Sequence, residues 1–96
     1  MFLNFGHRKR FSDLKENEIL ALAISSEEDD ARIYRTYADF LKKDYEDSSR
    51  VFEEMAQVED AHRKMLIEKY RERFGETIPL IRREHISGFY ARKPTW

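Results

Sequence analysis

Between Leu14 and Lys43 apolar side chains recur every third or fourth position with no Gly or Pro between them, the spacing of a helical face. Set out at about 100° per residue from Glu27, the side chains of Leu20, Ala23, Ala31, Tyr34, Ala38 and Leu41 fall within roughly 40° of it. A flank made of Ile19, Leu22, Ile33, Tyr37 and Phe40 widens this stripe to roughly 200°. A second periodic stretch, about 48–74, puts Phe52, Met55, Leu66 and Tyr70 within roughly 40° of Glu59. Val51, Val58, Met65 and Ile67 widen it in the same way. Stripes this broad exceed what one helix–helix contact covers, so a further subunit is expected on them.

Local signals set the boundaries. Asp13 is placed to cap helix 1, with Glu16 reaching back three residues later in a capping box. Helix 1 is predicted over about 14–43. The run Asp44-Tyr45-Glu46-Asp47 interrupts it, Asp47 or Ser48 caps helix 2, and Gly75 ends helix 2 as its left-handed C′ residue. Two long helices joined by a short turn form an antiparallel hairpin. Pro79 is read as the first residue of a short third helix over about 79–87, stopped by Gly88, with an extended tail to Trp96 anchored by aromatic residues. The fold class is all-α, with residues 1–96 forming one domain and dimerisation completing a four-helix bundle.

The chemistry lies where the core should be. Glu27 and Glu59 sit at the centres of their apolar stripes, and His62 is one turn beyond Glu59, about 60° around the same face. Charged side chains are seldom buried unless they are paired or bind metal. A lone Glu on such a stripe has a plainer explanation, as an interface carboxylate meeting an Arg, and Glu-x-x-His arises by chance in charged helices. The two features together, each centred on its own face, point to a site. The i, i+3 spacing lets a carboxylate and an imidazole reach one ion. This donor set suits iron, with manganese or zinc as substitutes. Di-iron bundles take one Glu from each of two helices and a Glu-x-x-His from each of the other two. One chain supplies half of that set, so Glu27, Glu59 and His62 predict a centre of two iron ions per dimer. Counted from the turn, Glu27 and Glu59 are expected to be offset along the hairpin by roughly 6 Å.

Composition narrows the alternatives. The chain has no Cys, which excludes thiolate metal sites and disulfides. Charged residues make up 39 %, yet the net charge is −1 and the signs are interspersed, so nothing favours nucleic acid. No run approaches a membrane span, and the order of apolar Met1–Phe5 before basic His7–Arg10 is wrong for a secretory signal. A cytoplasmic location is expected, with the basic cluster as a solvated arm. Asp30, about 60° from the stripe centre, is a candidate auxiliary carboxylate, and Glu28 is expected to be solvated. Tyr34 is either a core aromatic with a bonded hydroxyl or an electron-donating neighbour of the site. His7 and His85 receive no ligand role. No phosphate-cradling Gly loop or Ser/His/Asp arrangement is present.

The stretches Ala21-Leu22-Ala23-Ile24-x-x-Glu27, with Tyr34 beyond, and Phe52-Glu53-Glu54-Met55-Ala56-x-x-Glu59-x-x-His62 resemble the first two helices of rubrerythrin-type ferritin-like proteins. The segments 25–34, 70–76, Ile78-Pro79-Leu80-Ile81-Arg82-Arg83 and Arg92-Lys93-Pro94-x-Trp96 are most similar to the erythrin domain of membrane-bound ferritins, in the erythrin/vacuolar iron transporter family. That resemblance implies ferrous oxidation at Glu27, Glu59 and His62, feeding a membrane iron-transport domain. The chain also resembles encapsulated ferritins, half-bundles that form their iron site across a dimer and work within an encapsulating shell. Erythrin-domain proteins continue into a second hairpin and membrane spans, so the chain is expected to be either a fragment or a free-standing half. Without the four-cysteine iron domain of rubrerythrin, a self-sufficient peroxidase is not expected. The competing reading is a helical dimerisation module, metal-free or metal-stabilised, without turnover.

Overall fold

The computed structural model describes residues 9–88. Two helices dominate, α1 (Glu16–Leu41) and α2 (Glu46–Phe74), packed side by side as an antiparallel hairpin. A two-residue strand β1 (Lys9–Arg10) and a 3-10 turn (Phe11–Asp13) precede α1. A second 3-10 turn (Arg83–His85) and strand β2 (Ile86–Ser87) follow α2, and β1 pairs with β2 in parallel. The expected tail from Phe89 to Trp96, and His7, lie outside the described residues.

Helix α1 starts two residues later than its sequence signals suggest. Asp13 accepts a hydrogen bond from Arg10 Nε at 3.0 Å, and Leu14 and Lys15 are extended. The capping carboxylate is instead Glu18, whose Oε1 accepts from the Lys15 backbone N–H at 2.9 Å. Lysine has no acceptor to return the bond, so the box is half made. The turn also lies earlier than expected, at 42–45. Tyr45 N–H still donates to the Leu41 carbonyl, and Ser49 Oγ donates 2.6 Å to the Ala38 carbonyl, stitching the two helices together beside the turn.

This placement of the turn removes the expected stagger. Glu27 is fourteen residues before the end of α1 and Glu59 thirteen after the start of α2. The two therefore lie about 1.5 Å apart in height, not roughly 6 Å.

Small residues set which faces meet. Ala31 and Ala38 on α1 and Ala56 on α2 are at most 2 % exposed and share the flank on the α2 or α1 side of the glutamates. With only a methyl group at each, the backbones approach closely along that line. Arg35 reinforces the outer edge of the contact, bonding Asp60 at 2.6 Å with Glu53 3.6 Å away.

The chain reverses after α2 at Gly75, whose φ of 94° lies in the left-handed region. Buried Tyr70 then donates through its hydroxyl to the Thr77 carbonyl. Where the sequence predicts a helix over 79–87, the structure has an extended segment and a single 3-10 turn. Tertiary bonds outcompete the local preference here. Ser25 Oγ takes the Ile81 carbonyl, and Arg82 is extended so that its guanidinium reaches Asp29. An isolated helix of that length has little stability of its own to oppose them. The segment crosses the back of α1 along Leu22, Ser25 and Asp29, all buried.

Candidate metal centre

Glu27 projects from the middle of α1, and Glu59 and His62 from the facing turn of α2. His62 Nδ1 lies 3.1 Å from Glu27 Oε2 and 3.3 Å from Glu59 Oε1. One donor atom from each of the three residues falls within 4.8 Å of the others, as a shared ion requires. Among the described residues this is the cluster with that geometry. Two carboxylates and one imidazole are a donor set for iron, manganese or zinc, and these residues can hold such an ion.

Burial is graded across the site. The side chains of Glu59 and Glu27 are 16 % and 21 % exposed, and that of His62 is 50 % exposed. Loss of water around Glu27 and then the neighbouring Glu59 charge raise the Glu27 pKa above its ordinary 4.5, with His62 pulling the other way. Burial also raises the Tyr34 hydroxyl, helped by the charges of Glu59, Asp30 and Glu27. Tyr34 stacks on Phe52 with ring centroids 6.1 Å apart, and Phe52 meets the edge of Tyr37 at 5.1 Å.

The same side of the hairpin is open and apolar. Ile19, Ile33, Tyr37, Phe40, Val51, Met55, Val58 and Met65 are all more than a third exposed. Apart from Met55, which the sequence pattern puts in the central stripe, they belong to the flanks that it marks as excess; Leu22 is buried and Ile67 half-buried. The site thus sits on an unpaired apolar face, with the hairpin contact on its other side.

Glu28 is exposed, as is His85. Asp30 is drawn to Arg83, 3.0 Å away, and is outside the converging donor set. Arg83, Arg82 and Asp29 carry no signal in the sequence that links them, because the partners are 53 residues apart. Only adjacent Asp-Asp and Arg-Arg pairs are visible there.

A long antiparallel hairpin with a mid-helix Glu on one helix and Glu-x-x-His on the other has the build of a ferritin-like bundle subunit. The family model described as Rubrerythrin matches residues 18–96. The chain belongs to the rubrerythrin family. Neither the curated proteins nor the solved structures provide a match. Among the described residues, no helix is long and apolar enough to cross a membrane.

Proposed function

We propose that the chain is a ferroxidase-type iron protein whose centre forms between two copies, each giving Glu27, Glu59 and His62. The observation that carries this reading is the convergence of those three donors on a face that is otherwise apolar and uncovered. One copy offers too few ligands to enclose two ions, while two copies offer four carboxylates and two imidazoles. Four carboxylates balance two divalent ions, which keeps a covered site close to neutral.

Ferrous iron is the substrate, and two ions held together can each give up one electron to dioxygen or peroxide. Glu27 and Glu59 hold the ions side by side. His62, half exposed, closes the side toward solvent. The apolar flanks exclude water from the covered centre, which strengthens every charge interaction inside it. Tyr34, half-buried and within the field of Glu59, Asp30 and Glu27, is the candidate one-electron neighbour. The stretches similar to erythrin domains and encapsulated ferritins support onward passage of the oxidised iron, to a transport domain or into an enclosing shell. The deciding experiment is anaerobic loading with ferrous ion followed by oxygen. Binding of two ions per dimer and their oxidation faster than in buffer supports the reading. Binding without oxidation leaves a metal-stabilised dimerisation module.

A further inference from the structure

Two adjacent aspartates on α1 face two adjacent arginines of the segment after α2, and the pairs match one to one. Arg82 Nη2 bonds Asp29 at 2.9 and 3.1 Å, and Arg83 Nη2 lies 3.0 Å from Asp30. Neighbouring residues of a helix point about 100° apart, so the two pairs serve different faces. Asp29 is directed to the back of α1. It also meets Arg32 at 3.2 Å, while Arg82 also bonds Glu84, so this pair is a structural clasp.

Asp30 lies on the other flank of α1, about 60° around the helix from Glu27. It is three residues from Glu27, the same spacing by which Glu59 and His62 approach a common ion. Beside burial, the charges of Glu59, Asp30 and Glu27 all raise the pKa of the Tyr34 hydroxyl. Asp30 nevertheless stays out of the converging donors, and its partner is a guanidinium, a cation that persists at all physiological pH. The pair is sheltered, with side chains 20 % and 32 % exposed, so salt screens it less than a surface pair.

We propose that Arg83 is a specificity-determining residue of the metal centre, withholding Asp30 from it and so holding the centre at one divalent ion per chain. The inference rests on Glu27, Glu59 and His62 being ligands. Each chain then contributes two carboxylate charges, the number that one divalent ion neutralises. An unpaired Asp30 adds a third charge one turn from Glu27, and the two carboxylates together attract a further cation. Arg83 supplies that neutralising charge from within the protein.

The test counts Mn2+, added alone, bound per chain in the full chain and its variants. Wild type is expected to bind one. Arg83→Gln is expected to exceed one and approach two, and Arg83→Gln with Asp30→Asn to return to one. Arg82→Gln loosens the segment but leaves the Arg83–Asp30 pair, and stays at one. A general structural disturbance does not produce that pattern, since it lowers the count in every variant. A count of one in folded Arg83→Gln, or an extra ion that survives Asp30→Asn, overturns the inference and leaves the ligand assignment standing. No binding by wild type overturns both. Should Arg83→Gln not fold, Asp30→Asn alone decides: unchanged count and affinity support the withholding role, and lost binding makes Asp30 a ligand and overturns it.

Discussion

His62 Nδ1 stands between Glu27 Oε2 at 3.1 Å and Glu59 Oε1 at 3.3 Å, so one imidazole nitrogen meets a carboxylate from each helix. The three donors lie within 4.8 Å of one another, so a single ion placed among them can reach all three.

Metal binding is expected to release protons and to tighten as pH rises. Glu27 holds its proton above the ordinary carboxylate value, and a ligand must be deprotonated to bind. Calorimetry of Mn2+ binding in buffers of different ionisation enthalpy measures the protons released. A release of zero across pH 5 to 7 contradicts the arrangement.

Glu27→Gln is expected to stabilise the metal-free protein while removing its metal site. A carboxyl whose folded pKa is raised favours folding in its protonated form. That contribution is present at low pH and fades as pH rises through the folded value, leaving the ionised group a burden at pH 7. Gln keeps the shape without the charge. Its midpoint of thermal unfolding at pH 7 should exceed that of wild type, and the gap should narrow as pH falls toward 4.5. An equal gap at both ends indicates that charge is not the cause.

Glu59→Ala and His62→Ala are each expected to abolish paired metal binding with helical content intact. In the proposed dimer each change removes two ligands, and neither residue belongs to the Ala31–Ala38–Ala56 contact that holds the hairpin. Circular dichroism with metal counting checks both halves of the expectation. Full metal occupancy in the double variant moves the site elsewhere.

Association should depend on the open face and respond to metal. Val58 is 52 % exposed and shares a cleft with Tyr34, Met55 and Glu59. Val58→Glu puts a charge where the proposed dimer sets a second apolar face, and is expected to weaken association by about tenfold or more. Divalent metal should strengthen the wild-type dimer, because it removes repulsion among four carboxylates and adds bonds made only in the assembly. Sedimentation with and without Mn2+ reads both effects. A wild-type constant indifferent to metal shows that the carboxylates do not meet across subunits.

Ala56→Leu is expected to cost about 1–3 kcal/mol through overpacking. Ala56 is 0 % exposed and one turn before Glu59, so a wider hairpin also draws Glu59 away from Glu27. Denaturant unfolding and Mn2+ affinity should fall together. Lost stability with unchanged affinity separates packing from the site.

Helical periodicity and the absence of Gly and Pro over two long stretches were enough to establish the hairpin from sequence. Three-residue spacing and a carboxylate at the centre of each apolar stripe were enough to single out Glu27, Glu59 and His62. These are local properties, repeated every turn, and each residue's place on its helix follows from its number alone. Tertiary structure decided the rest. Which flank of a 200° stripe packs inward depends on where alanines from both helices coincide, and Ala31, Ala38 and Ala56 coincide only once the helices are paired. The turn at 42–45 set the heights of Glu27 and Glu59, because a shift of two residues at each helix end removes several ångströms of stagger. The third helix expected at 79–87 gave way to an extended segment because Ser25, Asp29 and Asp30, more than fifty residues earlier, bond to it. Helical propensity senses neighbours a few residues away, and those competing partners come within reach only after the hairpin has closed.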